Sequence, residues 1–387
     1  MSVSEEFPIK VQKEVIESAI EGAKEWLLSR QDLDVNSKRY GAFHGEFIWH
    51  DGEAIRALLR VYKRKKETVL LERARLAADF ILSLQFTDPA NRRYYGSYET
   101  PAYTPRKQIA PSDIYELIPG IMEIYQETKE KKYLDSARLA GDWLLSHATC
   151  GRKGIMGQIF DAEKWEPIAP LPVHDEAGFL LLYEQTGDQK YLEVFQDQID
   201  VLITHQDLLG TWWSHGWHWE KDFPSAGRTQ YWLTYPILAH YRRFEENFVL
   251  PALVRSCDRL LRLQLWNGVI PAFQMTDGSS MTPFARIKGQ GPFPPFREES
   301  NVDGTATAMA TILWLGMYEI TKDRNYYLAS LRAMKWILDH QITHGPNKGA
   351  FLHSYKYEDN QWKEYLRDLS SIYGIMALEE YLSKRWE

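Results

Sequence analysis

The chain has very little cysteine. Cys150 and Cys257 are the only two in 387 residues, too few for a disulfide framework or a cysteine-built zinc site. It lacks a long apolar run. The most apolar stretch, residues 306–320, is interrupted by threonine and falls short of the roughly 18 residues a membrane span needs. It lacks a basic excess: a net charge of −7 argues against a surface that tracks phosphates, and so against nucleic acid as a partner. Residues 1–16 contain no apolar signal core, which makes a reducing cytoplasm the expected compartment and leaves no membrane partner expected. A glycine-rich phosphate loop, a G-x-S-x-G elbow and the adjacent aspartates of terpene cyclases are also missing. No cofactor is expected.

What is abundant is aromatic. Phe, Trp and Tyr make up 13% of the chain, which fits either a core filled with rings or a pocket with flat walls and polar edges, as sugars prefer. Helical periodicity dominates and no run of alternating strand pattern stands out. A repeat is visible directly: residues 74–83 are echoed by residues 137–146, and residues 331–340 return to the theme with Trp336 where Trp143 stood. Amphipathic helices are expected near 11–31, 67–85, 131–148, 189–206, 248–266 and 325–342. Between them lie more apolar ones near 50–64, 112–129, 174–186, 229–244, 302–321 and 367–384. A helix that is apolar around most of its circumference is buried. No hairpin of this kind covers its own apolar faces, so neighbours must stack, and closing the ring removes exposed ends. The expected fold is all-α, a single (α/α)6 toroid over residues 1–387, with six hairpins of alternating outer and inner helices. Glycine-bearing connections precede most inner helices, and the longest, residues 268–299, is rich in Pro and Phe and suits a wall or lid.

Five of the six inner helices open with an aspartate: Asp51, Asp113, Asp175, Asp303 and Asp368. The sixth has Arg228 there. Asp51, Asp113 and Asp175 follow one another at equal intervals of 62 residues. Any one of them is explained by capping, since a carboxylate accepts orphan N–H groups and suits the helix dipole. Capping does not require the capped ends to converge, whereas parallel inner helices would gather them at one mouth. Asp113 and Asp175, on adjacent inner helices, are the pair expected to carry acid–base chemistry. Residues 210–219 set four tryptophans and two histidines just before the fourth inner helix. Trp213, His215 and Trp217 are expected to stack on a sugar and hydrogen-bond to it. His215 and His218 have no third ligand nearby in sequence and no zinc-peptidase pattern, so no metal is expected. Arg228 is either a surface cation paired with an acid or a bidentate holder of a substrate carboxylate.

Short motifs carry a family resemblance. Ser214-His215-Gly216-Trp217 resembles a Y-H-G-W-D stretch, and Arg228-Thr229-Gln230-Tyr231-Trp232 is similar to R-G-N-G-W or R-G-Q-A-W. Asp303-Gly304-Thr305-Ala306-Thr307-Ala308 is similar to D-S-S-A-A-A or E-A-S-A-S-A. These motifs belong to the unsaturated glucuronyl and rhamnogalacturonyl hydrolases, glycoside hydrolase families 88 and 105. Departures are His218 in place of an aspartate, Ser112 before Asp113 in place of a histidine, and His174 before Asp175 in place of Asp or Ile. The resemblance implies an oligosaccharide substrate ending in a 4,5-unsaturated uronic acid, whose double bond is hydrated to release the partner sugar. It implies Asp175 as general acid and base, and Asp113 as the residue that tunes it or orients substrate. Arg228 would hold the uronate carboxylate, while His215 and Trp217 would contact hydroxyls and ring face. Trp213, His174, Asp51, His44, Trp232 and Asp303 complete the expected binding set. Two other classes stay open. An inverting glycosidase or a sugar epimerase would use the same toroid, the epimerase through His44, His174 or His353. A non-catalytic glycan- or protein-binding toroid would have its aspartates split among separate salt bridges.

Overall fold

The structure, a computed structural model, describes residues 11–212, 226–271, 302–358, 361–384 and 386. Twelve α-helices lie among them. One set is amphipathic: α1 Lys13–Ser29, α3 Thr68–Ser83, α5 Lys131–Trp143, α7 Gln189–His205, α9 Leu250–Leu263 and α11 Arg324–Asp339. The alternating set is more buried: α2 Ile48–Lys65, α4 Pro111–Thr128, α6 Gly178–Thr186, α8 Ala226–Phe244, α10 Gly304–Thr321 and α12 Asp368–Leu382. The two kinds bury as their sequences dictate. In α3 the buried residues Leu70, Ala74, Ala77, Ala78, Phe80 and Ile81 lie on one face. In α10 every residue from Gly304 to Tyr318 is buried. None of the helices among the described residues is long and apolar enough to cross a membrane.

The chain forms two compact units, one of residues 1–26, 224–228 and 257–387, the other of residues 27–223 and 229–256. Within each, the same two turns recur. A buried helix ends when a residue enters the left-handed region and returns its N–H to a tyrosine carbonyl four residues back. The pairs are Tyr62 with Lys66, Tyr125 with Lys129, Tyr183 with Gly187, Tyr241 with Glu245, and Tyr318 with Lys322. An acid follows each of these and starts the next helix: Glu67, Glu130, Asp188, Glu246 and Asp323.

The second turn ends an amphipathic helix with a glutamine. Gln31 donates to Gly41 O and to Arg73 O of α3, and Gln85 to Gly96 O and Ser136 O of α5. Gln264 donates to Gly268 O and Ala329 O of α11, and Gln341 to Gly349 O and Ala19 O of α1. Gln206 reaches Ala252 O and Ser256 Oγ of α9. The following glycine has positive φ in all five turns, at Gly41, Gly96, Gly210, Gly268 and Gly349. In each, a Cβ would overlap a backbone carbonyl of the next amphipathic helix, Leu139 O in the case of Gly96. Glycine is required there twice over, for its conformation and for its missing side chain.

The connection before α6 departs from this scheme. It contains strands β3 Arg152–Asp161 and β4 Glu166–Pro172, paired antiparallel, with β1 Gln108–Ile109 and β2 Thr149–Cys150 on the other edge of β3. A second hairpin joins β5 Ser354–Glu358 to β6 Gln361–Tyr365. The expectation of a chain without strands is corrected here. Glycines at 154 and 157 and prolines at 167, 170 and 172 break the residue alternation that marks a strand. Their reason is packing, because a Cβ on Gly154 would meet the backbone of Asp197 and Gln198 in α7. Glycines also draw α2 and α4 together, since a Cβ on Gly120 would overlap Gly52 O.

Candidate active site

Five aspartates at helix starts turn out to have separate duties. Asp51 accepts the N–H groups of Phe43, His44 and Gly45 at 2.5, 3.1 and 3.0 Å, so its carboxylate is spent on folding that loop. Burial still lifts it to about 6. Asp303 caps α10 through Ala306 N at 2.9 Å and binds Arg228 Nε at 2.9 Å. Asp368 is the first residue of α12 and accepts Leu369 N. Asp175 lies three residues before α6, with Oδ2 accepting Gly178 N at 2.6 Å and Oδ1 accepting Gln198 Nε2 at 3.1 Å. Asp113, in the first turn of α4, is different. It is 3% exposed, and its Oδ2 has no hydrogen-bond partner among the described residues. Such a group keeps its proton rather than face burial as an anion. Burial, then the nearby Glu116 charge, holds Asp113 well above the usual carboxylate range.

Asp113 and Asp175 belong to one cluster, because both act electrostatically on Tyr115. Glu116, one turn beyond Asp113 and buried, is the third acid; burial and then the charges of Asp175 and Glu176 raise it as well. Burial also raises Asp175, while the N–H groups of Gln198 and Gly178 pull it back. At the centre, Gln158 Nε2 donates to the Tyr115 hydroxyl at 2.8 Å, and that hydroxyl lies 2.7 Å from His174 Nδ1 and 3.1 Å from Nε2. His174 Nδ1 lies 2.9 Å from Pro172 O, an obligate acceptor, so Nδ1 carries the proton and Nε2 is bare. Glu116 Oε1 is 3.0 Å from that nitrogen. A bare Nε2 beside a protonated Glu116 makes a hydrogen bond, in line with burial lowering His174 to about 4. His174 is therefore a neutral, fully engaged part of the scaffold that holds the acids.

A line of rings runs beside this cluster. His44 meets His50 at 4.5 Å between centroids, His50 meets Trp49 at 4.1 Å, Trp49 meets Trp232 at 5.9 Å and Trp232 meets His174 at 6.4 Å. His44, Trp49 and Trp232 are half-buried. Three expected site residues, His44, Trp232 and His174, are thus joined through two that went unmarked, Trp49 and His50. Tyr115, Glu116, Gln158 and Gln198 were also unmarked. For Glu116 a signal existed, since it lies three residues after Asp113 and shares its helix face.

In the other unit, Arg228 and Asp303 form their own group. The Arg228 side chain is 18% exposed and its Nε is tied to Asp303. His353 lies beside them, with Thr305 Oγ1 at 2.9 Å from its Nδ1 and Asp303 Oδ1 at 3.8 Å. Burial pushes this imidazole down to about 3, so it is neutral. Trp213, His215 and Trp217 lie outside the described residues, as does most of the 268–299 connection.

No family model matches the sequence, and no curated protein matches it. Solved structures do. A possible member of family GH105 from Salmonella enterica serovar Paratyphi A superposes with a TM-score of 0.66 at 13% identity, covering 99% of this chain and 96% of that one. Cellobiose 2-epimerase from Bacillus thermoamylovorans gives 0.69 at 13% identity, covering 96% of this chain and 100% of that one. An Asp-to-Asn variant of unsaturated glucuronyl hydrolase from Streptococcus agalactiae, complexed with dGlcA-GalNAc6S, gives 0.61 at 16% identity over 97% and 93%. The likeness spans nearly the whole chain, and at these identities it shows the fold: this is a helical-hairpin chain of the (α/α)6 toroid type.

Proposed function

We propose that the chain is a glycoside hydrolase acting on oligosaccharides that end in a 4,5-unsaturated uronic acid, and that it hydrates the double bond. The supporting observation is the buried acid cluster, in which Asp113 and Asp175 both hold protons more tightly than ordinary carboxyls. An enol ether is opened by a proton delivered to carbon, and an acid that stays protonated near neutral pH is what this step needs. Asp175, held in one orientation by Gly178 and Gln198, gives its proton to C4. The C4–C5 π electrons form the new C–H bond, and positive charge develops at C5 and the ring oxygen. Water adds at C5 and returns a proton to the carboxylate. The hemiketal then opens, leaving a hemiacetal at C1 that collapses and expels the partner sugar. Asp113, whose Oδ2 has no partner among the described residues, is proposed to tune Asp175 or to orient the substrate. The rings of Trp49 and Trp232 offer a platform for a sugar face. Arg228, whose guanidinium Asp303 fixes, is proposed separately as a carboxylate-binding side chain.

The test is the loss of ultraviolet absorbance when the protein meets an unsaturated uronyl disaccharide. The expected result is decay with wild type, lowered by about 10²- to 10⁴-fold in Asp175→Asn, and unchanged in Glu72→Gln on the exposed face of α3. No decay across a panel of such disaccharides would discard the proposal. A second reading, sugar epimerisation, draws on the neutral buried imidazoles of His174 and His353. It ranks second because the His174 ring already contacts Pro172, Tyr115 and Glu116, which leaves no free nitrogen for a substrate.

A further inference from the structure

Gln198 lies on α7, an amphipathic helix whose neighbouring Asp197 and Asp200 are occupied by Arg152. The residue is completely buried. Its amide nitrogen donates to Val173 O at 2.8 Å and to Asp175 Oδ1 at 3.1 Å, which uses both of its protons. The amide is not turned over, because Oε1 would then confront the Val173 carbonyl, an obligate acceptor. In the orientation it has, Oε1 is left with no partner among the described residues. A buried acceptor without a partner lowers stability. A glutamine serving packing alone would be replaced by an apolar residue without that penalty. β3 also accommodates it: Gly154 leaves the space that lets the strand settle on α7 at the Gln198 backbone.

We propose that Gln198 is the positioning residue of Asp175, fixing the carboxyl in one rotamer and presenting an N–H that favours its ionised form, so that the acid both holds a proton and can release it. The inference rests on the reading of Asp175 as the general acid. Burial loads Asp175 with a proton that is hard to remove; the titratable groups around it are Asp113, Tyr115 and Glu116 from α4, with Glu176 and His174 flanking it in sequence, and of these His174 favours the ionised form. The Gln198 N–H is the largest opposing influence, ahead of the Gly178 N–H. A proton donor held too tightly protonates carbon slowly, and one held too loosely is empty at the working pH.

The experiment compares Gln198→Met, close in length and volume, with Gln198→Leu, and reads two quantities. The first is the alkaline limb of kcat/KM on an unsaturated uronyl disaccharide. The second is the pH titration of the Asp175 carboxyl carbon by ¹³C NMR, assigned with Asp175→Asn. Losing the N–H makes the ionised form less favourable, so both should move to higher pH together, by about half to one pH unit. KM should stay within about twofold while kcat falls by about tenfold from lost orientation. A carboxyl titration unmoved in a folded variant overturns the proposal, whatever happens to activity. If wild type turns over no such disaccharide, the hydrolase reading fails, while the carboxyl titration still decides the role of Gln198.

Discussion

Replacing Asp113 by asparagine should make the protein more stable and less active, by an amount that depends on pH. In the folded chain the Asp113 carboxyl is buried, lacks a partner at Oδ2 and holds its proton far above 3.8. In the unfolded chain it ionises near 3.8. The sign follows from linkage. Above that pH the folded state binds a proton that the unfolded state releases, so this group's contribution is complete at low pH and is lost as pH rises toward the folded value. Asparagine, with no proton to lose, is free of the penalty. The advantage of Asp113→Asn should be small near pH 4 and grow by up to about 1.4 kcal/mol per pH unit above it, for as long as the folded carboxyl keeps its proton. Urea titrations at four pH values on wild type, Asp113→Asn and the exposed-face control Glu72→Gln measure the difference. A gap between wild type and Asp113→Asn that stays flat with pH would show that Asp113 is ionised in the native state. The proposed tuning of Asp175 by a protonated neighbour would then be wrong. Turnover of the unsaturated disaccharide by Asp113→Asn should fall by at least about tenfold over the same range.

Other consequences can be checked on stability alone. Gly96→Ala should destabilise by about 2–4 kcal/mol, because the left-handed backbone costs about 1 kcal/mol and the new methyl overlaps Leu139 O. Gly187→Ala, also at positive φ but with nothing within 4 Å, should lose only about 1 kcal/mol. Equal losses in denaturant titrations would mean that the close approach at Gly96 is not real. Arg56→Met should cost about 3–5 kcal/mol at pH 7, since it strands the buried Glu53 and Glu176 and the part-buried Glu123 around the missing guanidinium. The deficit should shrink toward pH 5 as Glu53, stripped of its cation, takes up a proton, and a deficit independent of pH would contradict this.

Helix positions were readable because period and burial are the same fact seen twice. The α3 stripe and the all-round apolar α10 were both evident as letters. The aspartates were readable as positions but not as roles. Whether a carboxylate is spent depends on which loop folds back onto it, as residues 43–45 do onto Asp51 and nothing described does onto Asp113 Oδ2. The strands around Gly154 were hidden because the glycines and prolines that permit their packing also erase their alternation. Glu116, Tyr115 and Gln198 were missed for a different reason. Each matters through a partner 23 to 59 residues away, His174 or Asp175, and spacing within one helix does not announce such a meeting. The tyrosine four residues before each left-handed turn was a regular signal that helical periodicity alone passes over.

The glutamine-and-glycine turns have a bearing on how such a chain tolerates change. At four of the five, the glutamine donates to two main-chain oxygens, one on its own glycine and one on the adjacent helix. Carbonyls are present whatever side chain a helix bears. A coupling that grips only the main chain places almost no demand on the sequence of the surface it grips, so α3, α5, α11 and α1 can drift in composition while their docking geometry persists. A latch of this kind, indifferent to its counterpart's letters, lets architecture outlast identity.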